Sequence, residues 1–141
     1  MYNKIILPTD GSGYSEDEVE RATKLVADDG EIIILSVAGK ITSSAFQSRT
    51  KVKKVNKRMR EEAEENVKRM EKLFEDNVNV KTRVEVGFPS ECINQVAEEE
   101  DADLIIISSS GKSGLHKFIL GSVAEKVLKT SSIDVLLVHS K

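Results

Sequence analysis

Asp103-Leu104-Ile105-Ile106-Ile107-Ser108-Ser109-Ser110-Gly111-Lys112-Ser113-Gly114 is the stretch on which the reading of this chain turns. An unbroken apolar run over residues 104–107 that ends in small residues predicts a short strand over residues 103–107 followed by a loop. Downstream, Gly121 or Ser122 opens a helix carrying Val123, Val127 and Leu128, and residues 134–138 form a last strand. Upstream, Pro89 opens another helix, where its missing N–H costs nothing, with Ile93, Val96 and Ala97 on the inner face. Residues 79–86 precede it as a strand. Further back, residues 51–74 place Val52, Val55, Met59, Ala63, Val67, Met70 and Phe74 three or four apart, giving one helical stripe. The polar, aperiodic residues 39–50 predict a loop. Residues 31–37 are apolar almost throughout, as suits a strand covered on both faces. Residues 4–7 form the first strand. A helix over residues 15–27 separates these two, opened by Ser15 and Glu18 as a capping box and stopped by Asp28-Asp29-Gly30. Strand and helix alternate along the whole chain. That pattern predicts an α/β fold, a doubly wound, largely parallel five-stranded sheet with helices on both faces.

Composition bounds the function. The chain has 141 residues, enough for a single domain at roughly 150 residues per domain. Apolar residues at 39% and charged residues at 32% fit a packed globular protein rather than a disordered one. With 21 Lys or Arg against 24 Asp or Glu, the net charge of −3 gives no general attraction to nucleic acid or anionic lipid. The longest apolar runs are four residues. A membrane span needs about 20. The N-terminal residues carry no apolar core of a signal peptide. One cysteine, Cys92, cannot form an internal disulfide. A reducing, cytoplasmic setting is expected.

In open parallel sheets, ligands collect beyond the carboxyl ends of the strands, where strand order reverses. The residues there are Pro8-Thr9-Asp10-Gly11-Ser12-Gly13 after the first strand, Ser36 and Val37 at the second, and the Ser108–Gly114 loop after the fourth. Small residues let backbone N–H groups approach a phosphate, and a helix N-terminus near Gly121-Ser122 adds unpaired donors. Ser122 is placed either to cap that helix or to give its hydroxyl to a phosphate oxygen. Two standard phosphate motifs fail. Gly111-Lys112-Ser113 lacks the earlier glycine of a P-loop, since Ile106 stands there. Gly11-Ser12-Gly13 lacks the third glycine of a dinucleotide fingerprint, since Glu16 stands there.

Pro8-Thr9-Asp10-Gly11-Ser12, Val86-Gly87-Phe88-Pro89-Ser90, the run from Ala102 to Ile107 with Gly111 and Gly121-Ser122-Val123 after it, and the terminal Ser132 to Val138 resemble the universal stress protein family. The resemblance is collinear over essentially the whole chain. It implies one domain over residues 1–141, with strand order 3-2-1-4-5. It also implies binding of an adenine nucleotide, ATP with Mg2+ or the smaller AMP or ADP, in a stress-response or signalling role. Asp10 would meet the ribose hydroxyls, with Pro8 and Thr9 beside it, and Val37 would face the adenine. Gly111, Lys112, Gly121, Ser122 and Val123 would hold the phosphates. ATP-binding members carry G-x2-G-x9-G-[S/T] after the fourth strand; here Ser108 replaces the first glycine. That departure keeps a second reading open, a dimeric interaction module of the same fold that binds no nucleotide. The resemblance further implies a homodimer through the last strand, Val135, Leu136, Leu137 and Val138, where pairing with a twin covers an apolar edge.

Other features carry less. No pair of carboxylates is expected at the site, and His116 is the one acid–base candidate in the loop, so at most slow ATP hydrolysis is expected. Arg49, Lys51, Lys53, Lys54, Lys57, Arg58 and Arg60 precede Glu61, Glu62, Glu64 and Glu65 with no aromatic between, as in a solvated helix face. Glu98 to Asp101 and Asp103 read as a helix end in water rather than a metal site. Cys92 reads as a small, partly buried hydrophobe.

Overall fold

The computed structural model describes residues 1–12, 15–39, 48–109 and 120–139. Nine elements follow in order: β1 (Tyr2–Pro8), α1 (Ser15–Leu25), β2 (Val26–Ala38), α2 (Arg49–Glu71), β3 (Val80–Val86), α3 (Pro89–Glu99), β4 (Leu104–Ser108), α4 (Ser122–Thr130) and β5 (Asp134–Val138). The strands form one sheet in the order β3-β2-β1-β4-β5. Every pairing is parallel. The α/β class and the strand order are those expected from the sequence.

Side-chain parity explains the layers. Successive residues of a strand point to opposite faces. Ile5 and Leu7 of β1, Ile32 and Ile34 of β2, and Leu104 and Ile106 of β4 pack with Val19 and Ala22 of α1 and Val67 and Met70 of α2. The intervening Ile6, Ile33, Leu35, Ile105 and Ile107 pack with Ile93, Val96 and Ala97 of α3 and Ala124 and Val127 of α4. Residues 5–7, 32–35 and 104–107 of the three central strands are therefore unbroken apolar runs, because both of their faces are covered. Each fully buried Ile or Leu contributes about 2 kcal/mol of transfer free energy.

Several boundaries differ from the periodicity: β1 runs over Tyr2–Pro8 where the pattern predicts residues 4–7, α2 over Arg49–Glu71 where it predicts residues 51–74, and the largest departure is between α1 and β2. α1 stops at Leu25, not Ala27, and β2 begins at Val26, opposite Tyr2. The register then shifts: Lys4 stands opposite Glu31. Residues 27–30 are thus extra length in β2, and they carry Asp28 and Asp29 into solvent. Gly30 makes this possible, because a Cβ there would sit 2.8 Å from the Asn3 carbonyl oxygen.

The acidic run after α3 is structural. Asp103 accepts the N–H groups of Asn3 at 3.0 Å and Lys4 at 2.9 Å, and its own N–H donates to the Lys4 carbonyl. Arg83 of β3 pairs with Glu85, Glu99 and Glu100, and Lys81 pairs with Glu31 and Glu100. Among the described residues, no three His, Cys, Asp or Glu side chains gather to hold a metal ion. No described helix is long and apolar enough to cross a membrane. On α2, Lys57 and Arg58 reach Glu61 and Glu62 one turn on, all four exposed. Burial, then the charges of Glu85 and Glu91, push the Cys92 thiol up, so its place on the first turn of α3 does not activate it.

Candidate functional site

Strand order reverses between β1 and β4, and the chain opens there. A cleft of about 300 Å³ lies beyond the carboxyl ends of β1, β2 and β4. Its apolar wall is Leu35 and Val37 of β2, Pro89 and Ile93 of α3, and Ile107 of β4. Pro8, Thr9 and Asp10 border it from β1, Ser108 from β4, and Gly121, Ser122, Val123 and Ala124 from the start of α4. This volume is at the small end of ligand sites, and the mix of an apolar wall with a few convergent polar groups is their usual character.

Each border is fixed by local hydrogen bonds. The Thr9 N–H donates to the Leu35 carbonyl at 2.8 Å, which carries β1 one residue past its last pair. Thr9 Oγ1 then accepts the Gly11 N–H, and Asp10 Oδ1 accepts the Ser12 N–H at 2.9 Å. Asp10 is thereby held in a turn that only a short polar side chain can make. Gly11 has φ +84°, and a Cβ there would come within 2.7 Å of Asn66 Oδ1 on α2, so the loop lies flat against that helix. On the far side, Ser109 donates to the Val138 carbonyl, and the Gly121 N–H donates to the Ser109 carbonyl at 2.6 Å. The Gly121 end of the segment after β4 is thus brought back to the strand it leaves.

α4 begins at Ser122, and Gly121 is its N-cap, with φ −63° and ψ 150° and no side-chain cap hydrogen bond. Ser122 is therefore the first helical residue and not the cap. Among the described residues no side chain caps the helix, and Ser122, Val123 and Ala124 at its start line the cleft. Such a terminus favours an anion by its donors and by its dipole.

The cleft brings together Pro8, Thr9, Asp10, Val37, Ser108, Gly121, Ser122 and Val123. Gly111, Lys112 and His116 lie outside the described residues.

Glu18 is the residue that the sequence reading misplaced. It is not the partner of a capping box. α1 starts at Ser15, whose hydroxyl donates to the Ser12 carbonyl, and Glu18 turns inward to the cleft. Its exposure is 3%. The Ser108 hydroxyl donates to its carboxyl, while Oε2 has no partner among the described residues. Burial first, and then the charge of Asp10, push its pKa up to about 8; the Ser108 hydrogen bond opposes them and the charge of Asp17 adds to them. A signal existed: Glu18, Ala22 and Leu25 share one helical stripe, so a carboxyl stood where an apolar residue was due. The apolar lining residues Leu35, Ile93, Ile107 and Ala124 were read only as core.

The comparisons with known proteins agree with this architecture. The model of the universal stress protein family matches residues 1–139. Universal stress protein MJ0531 of Methanocaldococcus jannaschii is 32% identical over 140 residues, covering 98% of this chain and 82% of its own. Universal stress protein MJ0577 of the same organism is 34% identical, covering 100% and 97%. The solved structure of MJ0577 superposes with a TM-score of 0.75, covering 100% of this chain and 98% of its own. A universal stress protein solved in complex with cAMP is 26% identical, with a TM-score of 0.60 and coverage of 99% and 98%.

Proposed function

This chain belongs to the universal stress protein family, and from that premise we propose that its cleft binds an adenine nucleotide in a stress-response or signalling role. The observation that carries the reading is the α4 N-terminus, open at the switch point between β1 and β4 beside a compact apolar wall. The base lies against Leu35, Val37 and Ile107. Asp10, a double acceptor, takes the ribose hydroxyls. The phosphate meets the N–H groups at Ser122 and Val123. The relative solved with cAMP supports an adenine ligand.

The protein side fits a nucleotide better than a free metal ion. Asp10 and Glu18 are the titratable residues lining the cleft among those described, and they do not form a three-ligand cluster. Mg2+ therefore arrives on the triphosphate when ATP is the ligand, where it supplies charge neutralisation. The residues bind and orient. At most slow hydrolysis is expected, and rapid multiple-turnover ATP consumption would contradict this.

Calorimetry with AMP, ADP and ATP, with and without Mg2+, tests the reading. The expected outcome is binding that falls about tenfold or more in Asp10→Ala, which removes a hydrogen-bonded charged acceptor, and severalfold in Ser122→Ala. Native mass spectrometry of the purified protein should show a retained nucleotide mass.

One observation favours a second reading. The Glu18–Ser108 pair at the site narrows the space where a family glycine would leave room. A cleft that binds no nucleotide would leave a dimeric interaction module. In either reading β5 is the contact. It pairs with β4 alone, and its side chains from Val135 to Leu137 are half-buried. Light scattering at micromolar concentration should give twice the 15.6 kDa chain mass.

A further inference from the structure

We propose that Glu18 is a ligand-reading group of the cleft: its neutral carboxyl donates from Oε2 to an acceptor oxygen of the bound nucleotide, so that occupancy requires Glu18 to keep its proton. The inference rests on the nucleotide reading above and deepens it. Three observations support it.

The first is geometry. Glu18 is almost wholly buried, yet it borders the cleft and Oε2 has no hydrogen-bond partner among the described residues. A buried polar atom without a partner costs about 1–3 kcal/mol, and such atoms persist where something arrives to satisfy them. The second is position. Glu18 meets Ser108 at the end of β4 and feels Asp10 at the end of β1, which places it between the two strand ends that a nucleotide would bridge. The third is the charge of its surroundings. Asp10 faces it from the β1 loop and Asp17 from its own helix; β4 contributes only the Ser108 hydroxyl. The lining contributed by β2, α3 and α4 has no titratable side chain. Among the described lining residues nothing cationic stabilises the carboxylate form, which agrees with the upward displacement of its titration.

The two protonation states then have opposite effects. Neutral Glu18 offers a donor to a phosphate or ribose oxygen. Ionised Glu18 offers an unscreened negative charge close to a phosphate. Proton loss and ligand loss are linked.

The experiment is calorimetry with AMP at pH 7.0, 8.0, 9.0 and 9.5 on the full chain and on Glu18→Gln, which keeps a neutral donor of the same shape. The second phosphate proton leaves near pH 6, so the ligand's charge is constant over this range. For the native chain the affinity should fall about thirtyfold between pH 7.0 and 9.5, the limit set by one proton leaving a group that titrates near 8. At pH 9.0 binding should take up close to one proton, read from the heats in two buffers of different ionisation enthalpy. Glu18→Gln should bind about as tightly as the native chain does at pH 7.0, with no such fall. Binding of the native chain that is equally tight across the range overturns the inference and leaves the nucleotide reading intact. A fall of the same size in Glu18→Gln also overturns it, because the slope then belongs to another group. Failure of the native chain to bind AMP, ADP or ATP at any pH overturns the nucleotide reading and the inference with it, whereas failure of Glu18→Gln alone overturns only the inference. A ligand-free measurement separates the cases further: the 13C carboxyl shift of Glu18, assigned by its absence in Glu18→Gln, should titrate near 8. Titration near the ordinary value of about 4 overturns the inference whatever binds.

Discussion

The two ends of the sheet treat a carboxyl group in opposite ways. At the amino end, Asp103 reaches from the start of β4 to β1, where it accepts two backbone N–H groups and returns one to the Lys4 carbonyl. Both of its oxygens are satisfied, and its work is to clamp the β1–β4 register. At the carboxyl end, Glu18 is more deeply buried, shares space with another carboxylate, and keeps an oxygen without a partner among the described residues. The first carboxyl closes an edge; the second faces a cavity. Natural chains break the rule of satisfied buried polar groups at functional sites, and the contrast marks the cleft as the candidate site without reference to any relative.

The contrast can be broken by measurement, and its largest expected consequence is at Glu18. With its titration pushed up to about 8, Glu18 in the folded chain should hold a proton that the unfolded chain has released. The native state thus binds more protons than the unfolded one between about pH 4 and pH 8. Stability supplied by this group is full below about pH 4, falls as pH rises through that window, and stops falling above about 8. Glu18→Gln removes the penalty. At pH 7 it should stabilise the fold by about 3 kcal/mol, and at pH 4 by little, when both chains are unfolded in denaturant. Equal stability of the two proteins at pH 7 would mean that Glu18 is an ordinary carboxylate, and the contrast would collapse.

Asp103→Ala should act the other way and somewhat less. It strips two hydrogen bonds to a charged acceptor from a half-buried strand edge, at a cost of about 2 kcal/mol. Backbone amide exchange at Asn3 and Lys4 should rise selectively; protection that persists there would show that strand pairing alone holds this end. The smallest effect belongs to Ser108→Ala. Ser108 donates to the Glu18 carboxyl and so favours its charged form. Removing the hydroxyl should raise the Glu18 titration further and change stability by about 1 kcal/mol or less at pH 7. A downward movement of that titration would reverse the assigned direction of the hydrogen bond.

Much of the site was legible from the order of strands and loops. Pro8, Thr9, Asp10, Val37 and Ser108 all sit at or just after the carboxyl end of a strand, and topology alone brings such residues together. Glu18 was not legible as a site residue, because Ser15 and Glu18 satisfy a local rule for helix starts. That rule lost to the tertiary environment, in which helix α1 begins at Ser15 itself and turns Glu18 inward. Ser122 was displaced for a similar reason: a serine beside a glycine reads as a cap, but the chain turns at Gly121.

By itself the sequence determined the alternation of elements, because apolar runs such as those around Ile33 and Ile105 have to be covered on both faces. It also determined which residues stand at the strand ends. Only the tertiary structure decided that β2 starts at Val26 and bulges over residues 27–30, since that depends on how closely Gly30 can approach the Asn3 carbonyl. It alone decided the state of Glu18. Proton affinity is set by the water and charges that surround a carboxyl, and a one-dimensional pattern contains neither.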